Sequence, residues 1–200
     1  MEHAEAAAGH GHGADDHVAA FERARMGMWF FLASEIMMFG AFIAVYVVLR
    51  MGPGAAAMKF LQDQLSWKIA GFNTLVLIVS SFTMVRGVHA ISQGKRGKCE
   101  DMLIATAALG TLFLVVKGFE YAAKFAHGYG PDTSVMFGSY FLMTGFHGVH
   151  VLVGVILLVW CAFYVKKFDA NHFAHVENLA LYWHFVDLVW IFLFPIVYLL

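Results

Sequence analysis

Apolar residues along this chain come in five long runs, not in the alternating pattern of a half-buried strand. A bilayer-crossing helix needs about 20 mostly apolar residues. The runs at roughly 26–49, 69–90, 102–123, 138–165 and 178–199 reach that length. Between them lie turn and charge signals: Met51-Gly-Pro-Gly54, Gln93-Gly-Lys-Arg-Gly-Lys98, Gly128-Tyr-Gly-Pro-Asp132 and Lys166-Lys167-Phe-Asp-Ala-Asn171. The pattern predicts an all-α, polytopic membrane bundle of five helices over 23–200, preceded by a tail over 1–22. No connecting segment is long enough to form a soluble domain, and no internal repeat of the transporter kind is visible.

Composition strengthens this reading. The 200 residues are 60% hydrophobic and 14% charged, where soluble domains are closer to half apolar and a quarter charged. A net charge of −1 offers nothing to nucleic acid. Cys99 and Cys161 form no CxxC pair, which removes thioredoxin, c-type haem and zinc-ribbon readings. Cys161 reads as a small core residue. Residues 1–22, rich in Ala, Gly, His and acid, lack the basic start and apolar centre of a signal peptide. They read as a disordered, solvated tail, with weak metal binding by His3, His10, His12 and His17 as the competing idea.

An odd number of spans puts the two termini on opposite sides. The N-terminal side carries Arg23, Arg25, Arg86, Lys95, Arg96, Lys98, Lys166 and Lys167, and the other side carries Arg50, Lys59, Lys68, Lys117 and Lys124. This excess predicts a cytoplasmic N-terminus. Trp29, Trp67, Trp160 and Trp183 fall near span ends, as an interfacial belt would have them.

Polar residues inside the runs are the candidate chemistry, because an intramembrane ionisable group is costly unless partnered. Glu35 reads as interhelical glue or a lipid contact, with proton transfer as the sharper alternative. Lys117 and Glu120 read as a local ion pair that snorkels outward. Arg86 and His89 are expected at the interface or on a lipid phosphate. In the fourth run, Gly138, Gly145 and Gly148 share one helical face and predict tight backbone packing. His147 and His150 lie on roughly the opposite face, and either is a possible partner for Glu35. His184 and Asp187 are three apart on one face of the last run, so the acid is a possible anchor for the imidazole. Two imidazoles on opposite sides of an iron would make a haem site. No pair among His147, His150 and His184 stands out, so structural histidines are the preferred reading. No hydrolase constellation or phosphate-binding glycine loop occurs.

Four motifs, in order, carry a family resemblance: Ser34-Glu-Ile-Met-Met-Phe39, Phe72-Asn-Thr-Leu-Val-Leu77, Thr144-Gly-Phe-His-Gly-Val-His-Val151 and Tyr182-Trp-His-Phe-Val-Asp-Leu-Val-Trp190. Over about residues 26 to 200 the chain resembles subunit III of the haem-copper terminal oxidases. Its five-helix layout is similar to the short form in bacterial quinol oxidases and some bacterial cytochrome c oxidases. The longer members have seven helices, and this chain begins where their third would. The resemblance implies a non-catalytic subunit of aerobic respiration in the bacterial inner membrane. Such a subunit packs on subunit I beside subunit II, binds phospholipid, and sustains stability and proton uptake. It implies no haem or copper in this chain, those cofactors belonging to partner subunits, with cytochrome c or quinol as donor. Glu35, Arg86, His147, His150, His184 and Asp187 then become lipid-contact or subunit-contact positions. Two rival classes are a small transporter or proton channel using Glu35 and the histidines, and a haem-binding membrane anchor.

Overall fold

A computed structural model describes residues 2–52, 66–165 and 173–199, with side chains described over 22–52, 66–165 and 175–199. The elements are α1 (Glu2–Met51), α2 (Trp67–Ser92), α3 (Arg96–Ala126), α4 (Val135–Tyr164) and α5 (Phe173–Phe194), the last running into a π-helical turn at Pro195–Leu199. Among the described residues, five helices are long and apolar enough to cross a membrane: Glu22–Met51, Trp67–Ser92, Arg96–Ala126, Val135–Tyr164 and His175–Leu199. Each contains or nearly contains the corresponding apolar run. The hydrophobic signal therefore locates the spans, while polar first and last turns extend them.

The backbone of α1 is helical from Glu2, where an irregular tail was expected. Alanine and glutamate in that stretch are strong helix formers, an inclination that low hydrophobicity alone conceals.

Turn chemistry joins the helices. Gly94 takes φ +71 between α2 and α3, and Gly128 takes φ +78 after α3, a left-handed backbone that glycine adopts without a Cβ penalty. The amide of Lys95 then closes back on the Ala90 carbonyl at 2.9 Å, and that of Tyr129 on Lys124 at 3.0 Å. Ser134 caps α4 by accepting from the Phe137 amide at 3.3 Å. At the end of α5, Pro195 has no N–H for the α-helical ladder, and the turn widens to π. The Ile196 carbonyl there accepts from Arg50 Nη1 at 3.3 Å, tying the end of α1 to the end of α5.

α2 lies against α3 and α5, and α4 against α3 and α5, while α1 packs mainly on α4 and α5. The core sits where the five helices meet, α1 contributing Leu32, Phe39 and Tyr46. Trp183, Trp190, Tyr46, Tyr140, Phe113 and Phe137 are its largest fully buried side chains. The outer face of α1 presents Phe30, Met37 and Val48 to the surroundings, as a helix facing hydrocarbon or a partner does. Cys99 and Cys161 are both buried and free.

Candidate functional site: a buried polar network

The centre of the bundle is organised by two tryptophans of α5. Trp183 is fully buried, so it is not the interfacial residue its position in the run suggested. Its indole fills a notch made by glycines of two other helices. A Cβ on Gly110 would lie 2.5 Å from Trp183 Cη2, and one on Gly154 2.8 Å from Cζ3. Trp183 Nε1 donates to Ser80 Oγ at 3.1 Å. Two turns on, Trp190 Nε1 donates to Thr74 Oγ1 at 3.0 Å. Buried indoles usually need such an acceptor, and here α2 supplies both. Trp29, Trp67 and Trp160 do stand exposed.

The glycine prediction needs correction for the same reason. Added Cβ atoms on Gly145 and Gly148 meet nothing within 4 Å, whereas one on Gly138 would lie 3.0 Å from the Pro131 carbonyl. The tight approach runs through Gly110 and Gly154, because the indole seeks its hydroxyl partner on α2 and must pass between α3 and α4. Gly145 and Gly148 instead line a groove of about 350 Å³ with Phe113, Lys117, Gly118 and Thr144.

His184 and Asp187 do not hold each other directly. Ser81 of α2 stands between them: its Oγ donates a short hydrogen bond to Asp187 Oδ2. The same Oγ lies 3.1 Å from His184 Nδ1. A hydroxyl has one proton, so Ser81 accepts from His184 N–H while giving its own proton to the carboxylate. Asp187 is buried, and its Oδ1 finds no partner among the described side chains.

Glu35 and His150 come together between α1 and α4, with Nε2 3.1 Å from Oε2. His150 Nδ1 lies 2.8 Å from the Phe146 carbonyl, which can only accept, so Nδ1 carries a proton. A neutral imidazole then has a bare Nε2. The two groups are neighbours without a hydrogen bond, since Glu35 Oε2 has none among the described groups. Phe39 packs edge-on to His150 at 5.4 Å, and Tyr182 donates to the His150 carbonyl at 3.0 Å. The partner that Glu35 left open between two histidines is His150.

His147 goes elsewhere. It is buried, stacked on Trp190 with ring centres 5.2 Å apart and edge-on to Phe113 at 5.7 Å. Arg86 and His89 are exposed, and His89 Nε2 lies 2.8 Å from Gln93 Nε2. Of the six contact candidates, Arg86 alone is exposed, and Glu35, His150 and His184 are half-buried. His147 and Asp187 are turned inward and buried. Their contacts lie within the chain.

The largest correction concerns Lys117 and Glu120. Neither snorkels. Lys117 is 8% exposed and Lys124 is 4% exposed. Glu120 Oε2 lies 3.0 Å from Lys117 Nζ, and Oε1 lies 2.5 Å from Lys124 Nζ. Oε1 also accepts from Tyr198 OH at 2.8 Å and Tyr140 OH at 3.0 Å. Each lysine in turn donates to a phenol, Lys117 to Tyr198 at 2.6 Å and Lys124 to Tyr140 at 3.2 Å. Lys117 Nζ also lies 5.0 Å from the Trp190 ring centre and 5.2 Å from that of Tyr198, so aromatic faces complete its shell. Two ammonium groups, one carboxylate and two phenols thus bind α3, α4 and α5 at one end of the bundle. The spacing 117, 120, 124 puts all three on one helical face. That signal was visible in the sequence, but Tyr140 and Tyr198 arrive from other helices.

His147, His150 and His184 therefore go to three different partners, and no group of three or more His, Cys, Asp or Glu converges among the described residues. The arrangement is that of a multi-pass helical membrane protein in which Glu120, Ser81, Ser80 and Thr74 take part in polar contacts that join its helices. The family model for cytochrome c oxidase subunit III matches residues 6–200. Cytochrome c oxidase subunit 3 of Thermostichus vulcanus is 35% identical over 178 residues, covering 88% of this chain and 86% of that protein. The probable subunit 3 of Rickettsia bellii is 34% identical over 194 residues, covering 88% and 68%. That of Arabidopsis thaliana is 34% identical over 181 residues, covering 87% and 67%. The chain belongs to the cytochrome c oxidase subunit III family, and it is a subunit III of a haem-copper oxidase. This membership does not favour the transporter or haem-anchor readings.

Proposed function

We propose that this chain is a scaffold on the flank of the catalytic subunit I, in a bacterial inner membrane, holding no redox centre itself. The observation that carries this reading is how the interior acids and bases are spent. Glu120, Glu35 and Asp187 each engage a residue of another helix, which suits holding a shape. The catalytic partner supplies haem and copper, and its donor is cytochrome c or quinol. Bound phospholipid fits the exposed apolar flanks and a groove of about 460 Å³ beside His150, Trp160 and Tyr182.

The N-terminus faces the cytoplasm in this proposal. Lys117 and Lys124 are consumed inside the bundle, so they drop out of the flank charges. The comparison then becomes eight cations on the N-terminal side against three, Arg50, Lys59 and Lys68, on the other.

Purifying the tagged chain from its own membranes tests the proposal. It should bring down a haem-bearing catalytic subunit, and the assembly should consume oxygen. Recovery of the chain alone, with oxidase activity in another fraction, would overturn it.

A further inference from the structure

His147 combines deep burial with a complete lack of polar contacts. It is 1% exposed, and neither Nδ1 nor Nε2 has a hydrogen-bond partner among the described protein groups. An imidazole in any protonation state has at least one N–H to place, and the neutral form also has a bare nitrogen. The ring cannot turn away to find partners. Trp190 stacks on its face, with an interplanar angle of 26°, and Phe113 presents its edge to it. Trp190 is itself fixed by Thr74.

A second orphan lies beside the same phenylalanine. Asn73 of α2, also 1% exposed, donates from Nδ2 to the Phe113 carbonyl at 3.2 Å, and its Oδ1 has no partner. Reversing the amide would set oxygen against oxygen at that carbonyl, so the orientation is determined. Phe113 thus touches both groups, Asn73 through its backbone and His147 through its ring. Four helices, α2 to α5, meet around these atoms.

We propose that this junction is an internal water site, in which one or more waters are bound by the nitrogens of His147 and by Asn73 Oδ1. Water matches the chemistry, since it donates to an amide oxygen or a bare imidazole nitrogen and accepts from an N–H. Buried polar groups without protein partners are where structural water is found. Phe113, which touches both orphan groups, also lines the groove shared by Lys117, Thr144, Gly145 and Gly148. Such a site gives His147 a reason to be a histidine in a wall of aromatic rings.

The test is a density map of the assembled oxidase at a resolution that shows ordered water. A peak is expected about 2.7–3.2 Å from a His147 nitrogen, and it should be lost in a His147→Leu complex. A wild-type map in which both nitrogens face only carbon, or bond directly to Asn73, would overturn the proposal. If His147→Leu does not assemble, brief X-ray footprinting of the wild-type complex in ¹⁸O-water decides. Incorporation of ¹⁸O at buried Phe113 or Trp190 supports the site, and its absence there, with normal labelling at exposed Trp29, refutes it.

Discussion

Trp183 and Gly154 meet so closely that a methyl group on the glycine would lie 2.8 Å from the indole ring. The indole is held in place by its bond to Ser80 and by Gly110 on the other side, so it cannot retreat. Gly154→Ala should therefore destabilise the bundle by about 1–3 kcal/mol, the usual cost of overpacking. The thermal midpoint of the purified complex reads this directly. An unchanged midpoint would show that Trp183 is not the wedge described.

Gly145 supplies the contrast. Nothing lies within 4 Å of an added Cβ there, so Gly145→Leu should leave the chain's own helix packing intact. Its midpoint, measured on the subunit freed from partners, should match the wild type. A fall as large as that of Gly154→Ala would mean the groove beside Gly145 closes within the chain.

Glu120 is the only carboxylate in contact with Lys117 and Lys124 among the described residues. Glu120→Gln would leave two buried ammonium groups without a counter-ion, a loss of about 3–5 kcal/mol for breaking a buried pair. The expected outcome is a subunit that fails to accumulate in the complex, quantified by its stoichiometry after purification. Adding Lys117→Met should recover part of the yield. Normal stoichiometry of the single variant would contradict the network.

Ser81 joins His184 to Asp187, so Ser81→Ala removes both bonds at once. Leaving buried partners unsatisfied costs about 1–3 kcal/mol, to be read as a lower midpoint with oxygen turnover retained. Equal stability would show that His184 and Asp187 find other partners.

Glu35 faces His150 at the seam of α1 and α4. Glu35→Ala should speed dissociation or inactivation of the oxidase during turnover, while the initial oxygen-reduction rate stays near that of the wild type. Complete loss of turnover in a fully assembled Glu35→Ala complex would assign the carboxyl a chemical role instead.

The spans were legible because hydrophobic thickness is a local property: about 20 apolar residues announce a crossing wherever they occur. Polar residues inside them were legible as costly, but their partners were not. Periodicity puts His184 and Asp187 on one face, yet the group joining them, Ser81, comes from a helix over a hundred residues earlier in the chain. Lys117 looked free to snorkel because its position near a span end is local information, while the tyrosines that trap it come from α4 and α5. The glycines of α4 misled in the same way. A helical wheel groups Gly145 with Gly148, but only the neighbouring Trp183 reveals that Gly154 is where the backbone must be bare.

The central claim is that this chain is a structural subunit without its own redox centre, working beside a catalytic one. The most direct test is a reduced-minus-oxidised absorbance spectrum of the subunit separated from the purified oxidase. The account predicts no haem bands from the separated subunit and full haem content in the remaining complex. Stoichiometric haem retained by the separated subunit would contradict it.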